Sequence, residues 1–180
     1  VNDKFPNGAP IMHVDGFVRG KGRFMITEYV PTAERVTRMY PLILTTGRIL
    51  SQYNVGQQTR RTENSRWHSE DLLEIHPFDA EERGIADGDY VSIGSRMGAT
   101  TLKAEISERM PQGVSYTTFH HAVSGANVVT SDTTDFSDWA TNCPEYKVTA
   151  VLVTRSNRPS DWQEAHEKIE ETHYRVQAAE

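Results

Sequence analysis

The chain has 180 residues, one cysteine and a net charge of −6. This length suits a single domain with tails, and the acidic charge argues against a general nucleic-acid binder, which would carry a basic face. The lone cysteine excludes an internal disulfide framework or a cysteine-cluster metal site in this sequence and fits a reducing compartment. Since we find no apolar run long enough to span a bilayer and no leader pattern, we expect a cytoplasmic protein.

The N-terminal residues 1–22 combine Asn, Gly, Pro and Asp without a sustained period, which predicts a flexible arm or interdomain linker. Because the chain begins with Val1 rather than Met, we expect it to be a fragment of a longer protein. The segment Phe24–Val30 is rich in aromatic and β-branched residues. It predicts a strand that ends before Pro31.

An apolar run, Leu42–Leu44, follows Pro41 and predicts a buried strand. Gly47 beyond it would let the backbone approach a ligand closely, and Arg48 and Arg60 would offer forked donors to phosphate. The alternative is a strand, a turn and solvated arginines. Residues 34–66 contain only two glutamates but six arginines: Arg35, Arg38, Arg48, Arg60, Arg61 and Arg66. This local positive charge suits a compact anionic ligand.

Five further segments predict strands by their apolar or alternating patterns: residues 72–76, 90–93, 99–106, 114–119 and 148–153. A short helix is expected over residues 77–84, with proline at its start and glycine at its end. Two long polar stretches, 51–69 and 124–142, are typical of functional loops. A helical tail is expected within residues 156–180, because apolar residues recur at Trp162, Ala165, Ile169, His173 and Val176. Together these elements indicate a mostly β barrel or sandwich with helices at its corners.

The candidate chemical groups favour a binding domain without its own reaction centre. His120 and His121 are adjacent at a strand end and point to opposite faces, so a ligand contact or loop packing is favoured over a shared metal ion. Cys143 has no evident basic partner or helix start to activate it, which favours packing as a small hydrophobe. No Gly-x-Ser-x-Gly motif is present. The predicted binding edge consists of the polar loop ends after Thr46, Phe119 and Asn142.

Five motifs occur in order, at Pro41–Arg48, His76–Ala80, Gly84–Asp89, Asn127–Thr130 and Pro144–Lys147. Their order and spacing resemble the C-terminal domain of molybdopterin-dinucleotide oxidoreductases over roughly residues 24–154, and the ordered set is more specific than any single motif. Further runs look most like the large subunit of soluble, NAD-linked formate dehydrogenases: Gln52–Gly56, Thr59–Arg61 and Ser137–Pro144.

The resemblance implies a mainly β fold, a double-psi β-barrel of the aspartate-decarboxylase-like type, over residues 23–155 with short helices and a C-terminal helix. This barrel would cover one side of two molybdopterin guanine dinucleotides that hold molybdenum in the parent enzyme. Thr46, Gly47 and Arg48 would lie against the pterin-phosphate part. The other implied cofactor contacts are Gln52, Thr59, Arg60, His120, Asn127, Asn142, Tyr146 and Lys147. These residue types agree with a ligand of several phosphates and flat rings.

In this family the metal ligand, its neighbouring histidine and the iron-sulfur cysteines lie in upstream domains. We therefore assign no catalytic and no metal-binding residue to this chain, and we expect the isolated domain to be inactive. The parent would oxidise formate to carbon dioxide and pass electrons through iron-sulfur clusters toward NAD, with iron-sulfur and flavin- or NAD-binding partner subunits. Two alternatives stay open: another bis-molybdopterin enzyme, such as nitrate reductase or a redox subunit of a respiratory complex, and a non-catalytic β-barrel binding or assembly module.

Overall fold

The computed structural model describes residues 3–13, 16–17, 19–131, 137–138, 140–141 and 143–177, and it describes no side chain at residue 137 or from residue 170 onward. The chain divides into two compact units, Val1–Pro31 and Thr32–Glu180.

The N-terminal unit contains turns and no helix or extended strand among its described residues. Main-chain hydrogen bonds close these turns, for example from Gly8 N to Phe5 O at 2.9 Å. The strand predicted over residues 24–30 is therefore wrong, because this segment forms neither helix nor strand and its apolar side chains are exposed. Strand propensity reports how well a side chain fits a pleated, half-buried surface, and no neighbouring strand supplies that surface here.

Eight strands are present among the described residues of the second unit: Leu42–Gly47 (β1), Leu72–Ile75 (β2), Tyr90–Gly94 (β3), Ala99–Ile106 (β4), Val114–Thr118 (β5), Ser137–Asp138 (β6), Cys143–Pro144 (β7) and Thr149–Arg155 (β8). β6 pairs with β7, and the other six strands close into a barrel in the order β1-β5-β2-β4-β3-β8. β1 runs parallel to β5 and β2 runs parallel to β4, while the other barrel pairs are antiparallel. This closed barrel confirms the predicted mainly β, double-psi fold.

The interior of the barrel is filled by apolar side chains. Alternate residues of each strand point inward, so Leu42 and Leu44 of β1 are buried while their neighbours are half-buried. The fully buried residues of other strands include Leu73, Ile75, Val91, Ile93 and Val153. A six-stranded barrel of this kind is a packed core and leaves no room for a ligand inside it.

The strand register defines one end of the barrel that carries most of the long connections. The C-terminal ends of β1, β3 and β5 lie there beside the N-terminal ends of β2, β4 and β8. We call this end the upper rim, and it consists of the described residues within 48–71, 95–98 and 119–148. Eight of the residues implied as cofactor contacts belong to these segments: Arg48, Gln52, Thr59, Arg60, His120, Asn127, Tyr146 and Lys147. Thr46 and Gly47 end the strand that leads into the first segment.

The helices are Pro77–Glu81 (α1), Ala126–Val129 (α2) and Asp161–Gln177 (α3), and 3-10 turns form at Thr59–Arg61, Glu63–Arg66 and Ala122–Ser124. α1 begins after His76, whose Nδ1 accepts a hydrogen bond from Phe78 N at 3.1 Å. The C-terminal helix is present as predicted. In the part of the chain that is described, no helix is long and apolar enough to cross a bilayer.

Candidate functional site

The end of β1 is fastened to the loop that precedes β8. Thr46 donates two hydrogen bonds to Tyr146 O, from its main-chain N at 3.1 Å and from its Oγ1 at 2.8 Å. The Lys147 ammonium in turn donates to Thr46 O. The side chains of Tyr146 and Lys147 are exposed. Three residues that the sequence placed in one site are thus brought together by main-chain and side-chain contacts.

Gly47 makes room for an aromatic ring of the neighbouring strand. A Cβ at Gly47 would lie 2.6 Å from both Cε2 and Oη of Tyr116. The Tyr116 hydroxyl donates to Arg48 O at 3.1 Å. Burial raises the pKa of the Tyr116 phenol, which keeps it protonated as a donor at neutral pH. Tyr116, which the sequence analysis did not single out, therefore fixes the backbone from which the Arg48 side chain extends.

The Arg48 side chain is exposed and is positioned by two neutral groups. Its Nη2 donates to Asn54 Oδ1 at 3.3 Å, and its guanidinium carbon lies 5.3 Å from the centre of the Phe119 ring. An amide and an aromatic face orient a guanidinium without neutralising its charge. The fork of Arg48 is thus held at the rim with its charge uncompensated by these contacts.

His120 supports the same loop from inside the protein. Its ring is fully buried, its Nε2 accepts from Ile49 N at 3.2 Å, and its Nδ1 contacts Asn54 O. Since Nε2 accepts, Nδ1 carries the proton and donates to the Asn54 carbonyl. Both ring nitrogens are therefore engaged within the chain, and their contacts hold the loop at Ile49 and Asn54.

The loop then folds back through a short network around Thr59. Thr59 Oγ1 donates to Gln52 Oε1 at 2.6 Å and accepts from Tyr53 N at 3.1 Å. Arg60 N donates to Gly56 O at 2.9 Å. Gly56 has a positive φ of 68°, and a Cβ there would lie 2.7 Å from His120 O, which explains the glycine. The network places Gln52, Thr59 and Arg60 on one closed loop.

Two buried polar groups of this loop have no hydrogen-bond partner among the described residues. They are Ser51 Oγ and Gln52 Nε2, and both residues are buried. Buried polar atoms in folded proteins are almost always hydrogen-bonded, so two such neighbours point to a group that this chain alone does not supply. Ser51 was not among the predicted contacts, because a serine in a polar loop carries no distinguishing sequence signal.

The arginines of the loop add an unneutralised positive charge. Within the described part of the chain, Arg48, Arg60 and Arg61 form no ion pair, whereas Arg66 pairs with Glu63 at 2.8 Å. All four are exposed or partly exposed at the rim or beside it. Unpaired forked cations next to unsatisfied buried donors suit a ligand with phosphate groups and hydrogen-bonding edges.

A buried acid of the upper rim, Asp71, was missed by the sequence analysis. Asp71 accepts hydrogen bonds from Thr118 Oγ1 and from His121 N at 2.8 Å, and His121 Nδ1 lies 3.2 Å from Asp71 Oδ1. Burial raises the pKa of Asp71, but the hydrogen bonds from His121 and Thr118 together lower it below its ordinary value. His121 thus faces a different partner from His120, as expected for adjacent residues at a strand end.

The last residues considered in the sequence analysis are Asn127, Asn142 and Cys143. Asn127 is exposed on α2 at the upper rim, and among the described residues its side chain makes no hydrogen bond to the other predicted contacts. Asn142 lies outside the described residues. Cys143 is exposed, which corrects the expectation that it packs as a small hydrophobe, because the short ribbon that carries it lies on the surface. The nearby Cys143 thiol raises the pKa of the Tyr146 phenol.

Residues 42–150 match the family model described as "Molydopterin dinucleotide binding domain". The chain is 38% identical over 156 residues to the F420-dependent formate dehydrogenase subunit alpha of Methanocaldococcus jannaschii, covering 85% of this chain and 23% of that protein. It is 36% identical over 153 residues to the F420-dependent formate dehydrogenase 1 subunit alpha of Methanococcus maripaludis, covering 82% and 22%. The chain thus spans less than a quarter of the length of these relatives.

A solved structure, acetylene hydratase from Pelobacter acetylenicus, is similar with a TM-score of 0.54 at 17% sequence identity. The similarity covers 66% of this chain and 18% of that one. At this identity the match shows a shared fold, and it agrees with the barrel described above.

Proposed function

The chain belongs to the molybdopterin dinucleotide binding domain family, and we propose that its upper rim forms one wall of the site for two molybdopterin guanine dinucleotides in the alpha subunit of a formate dehydrogenase. The proposal is carried by the buried donors of Ser51 and Gln52, which have no hydrogen-bond partner among the described residues. They lie beside arginines that form no ion pair in the same part of the chain. Flat heterocycles with polar edges would satisfy the donors, and phosphates would pair with the arginines.

Each side chain has a distinct proposed task. Arg48 and Arg60 bind phosphate oxygens with two parallel N–H groups, which a lysine could not reproduce. The Gln52 amide donates to a ring edge of the cofactor, while Thr59 fixes the orientation of that amide. His120 positions the loop without touching the ligand. The remaining proposed contacts are Thr46, Gly47, Asn127, Asn142, Tyr146 and Lys147.

The proposed role of this chain in the reaction is binding and electrostatics. When bound, the cofactor would supply the metal that accepts the electron pair of formate as carbon dioxide forms. The rim would neutralise the phosphates and hold the cofactor in one orientation against the rest of the subunit. No residue of this chain is proposed to move a proton or to bind the metal.

The electron acceptor of the parent enzyme is a separate question. The two similar alpha subunits are named as F420-dependent, which favours F420 over the NAD predicted from the sequence. Iron-sulfur clusters in upstream domains and partner subunits for the acceptor stay predictions. The sequence identity to the alpha subunits of two formate dehydrogenases likewise favours formate over nitrate as the substrate. Formate-dependent reduction of F420, compared with NAD under the same conditions, distinguishes the two acceptors.

The decisive test is made on the full-length parent protein. Molybdenum is measured by elemental analysis, and guanine nucleotide is measured after release by denaturation. We expect about two guanine nucleotides per molybdenum. A well-folded preparation from a host competent in cofactor synthesis that contained neither would favour the binding or assembly module instead.

A further inference from the structure

Residues Phe24–Val30 display apolar side chains that nothing in the described part of the chain covers. Phe24, Ile26 and Val30 are 100%, 95% and 82% exposed, and Met25 and Tyr29 are also largely exposed. Single exposed apolar residues are ordinary, but five within seven consecutive positions form a patch of the kind that marks an interaction site.

The main chain of this segment is also without hydrogen bonds to the described part of the chain. Among the described residues, none of the main-chain groups from residue 24 to residue 30 takes part in a strand or a turn hydrogen bond. In a strand, Phe24, Ile26 and Val30 would point to one face and Met25 and Tyr29 to the other. Apolar residues on both faces are typical of a strand that is covered on both sides.

The chain that follows this segment is fixed to the barrel. Thr32 Oγ1 donates to a carboxylate oxygen of Glu145, the residue before Tyr146. Buried Glu34 accepts from Ala150 N at 2.7 Å and from Arg96 Nη1 at 2.5 Å. The chain therefore enters the barrel unit at the upper rim, beside the proposed cofactor contacts.

We infer that residues Phe24–Val30 add as a strand to an exposed sheet edge in the remaining domains of the same subunit, with apolar cover on both faces. Addition to a sheet edge satisfies the main-chain groups, and the alternating side chains fill pockets on both sides. This inference rests on the proposed function only in taking the barrel to be one part of a longer alpha subunit.

Two observations favour the same subunit over a second copy as the partner. This chain covers 23% of the Methanocaldococcus relative, so most of such a subunit lies outside it. The aligned stretch, 85% of this chain, is longer than residues 32–180, so the similarity reaches into the segment before Thr32. A segment tethered to the barrel by one residue also meets its own subunit at a high effective concentration.

The test is amide hydrogen exchange of residues 24–30, measured in the full-length parent and in the 180-residue chain. We expect exchange at least about 100-fold slower in the parent, since strand pairing protects the main chain. Equal rates would overturn the inference. Protection that appears in the 180-residue chain only as its concentration rises would point to a second copy and overturn it as well.

Two further experiments distinguish this inference from the cofactor proposal. In cofactor-free parent protein the protection should persist, because the pairing needs no cofactor, and its loss there would contradict the inference. In the parent, Ile26→Asp should abolish the protection while Ile26→Val keeps it. If Ile26→Asp yields no folded parent, the wild-type comparison still decides the outcome.

Discussion

Gln163 in α3 hydrogen-bonds both main-chain groups of Thr101 in β4. Its Oε1 accepts from Thr101 N at 3.0 Å, and its Nε2 donates to Thr101 O at 2.7 Å and to Val123 O at 2.8 Å. β2 pairs with β4 only from Lys103 onward, so Thr101 has no strand partner on that side. The amide of Gln163 takes the place of the missing strand, which makes the C-terminal helix an integral part of the barrel unit.

Replacing Gln163 by Ala should lower the free energy of unfolding by about 2–4 kcal/mol, because buried main-chain groups left without partners cost about 1–3 kcal/mol each. Urea unfolding of the chain measures this loss. The matched control is Glu167→Ala in the same helix, where the side chain is exposed and the change should stay within about 0.5 kcal/mol. Equal losses in the two variants would show that the amide is not needed at β4.

Replacing Arg48 by Ala should lower the cofactor content of the parent enzyme about tenfold, since a hydrogen bond to a charged group contributes about 1.5–3 kcal/mol. The stability of the fold should change little, because the side chain is exposed. Arg48→Lys should recover only part of the content, because the ammonium lacks the fork. Arg66→Ala is the control, since Arg66 already pairs with Glu63. Molybdenum and guanine contents that match the wild type in Arg48→Ala would contradict the proposed phosphate contact.

The strands were predictable because their signal is local. In β3, buried and half-buried residues alternate as the apolar pattern predicts, and β4 has the predicted bounds. β1 forms where the apolar run predicts a buried strand, although Ile43 within that run is only half-buried. Residues 24–30 carry the same local signal and form no strand, because pairing also needs a partner that the local sequence does not encode. The polar stretch 124–142 was expected to be a loop, and α2 within it is too short to have a periodic pattern.

The structure brings several residues of the predicted site together, but the sequence did not predict the contacts between them. Thr46, Tyr146 and Lys147 meet at the end of β1. By contrast, Asp71 bonds His121 across 50 positions and Gln163 bonds Thr101 across 62 positions. A polar pair of this kind leaves no period and no spacing rule in the sequence, so only the folded chain reveals it.

Asp71 should make the stability of the chain depend on pH on the acid side. Because hydrogen bonds lower its pKa in the folded state, its contribution is present above the unfolded-state value of about 3.8 and is lost as the pH falls through the lowered folded-state pKa. Asp71→Asn should therefore cost about 2 kcal/mol or more near neutral pH, and this difference from the wild type should shrink below about pH 4.

Urea unfolding between pH 3 and pH 7 measures both proteins under the same conditions. Glu167→Gln serves as the control, because its side chain is exposed on α3 and should show no comparable loss. A difference between wild type and Asp71→Asn that stayed constant across this range would mean that the Asp71 charge does not stabilise the fold.

Gly47→Ala should lower the free energy of unfolding by about 1–3 kcal/mol, because overpacking forces side chains out of place. The new Cβ would lie 2.6 Å from the Tyr116 ring, which would have to move and give up its hydrogen bond to Arg48 O. Gly94→Ala in β3 is the matched control, since its Cβ would meet nothing closer than Leu152 O at 4.0 Å. In a Tyr116→Ala background the Gly47→Ala cost should largely vanish, because contacting residues are not additive. A full cost in that background would mean that Gly47 is required by the main chain or by a ligand, and not by Tyr116.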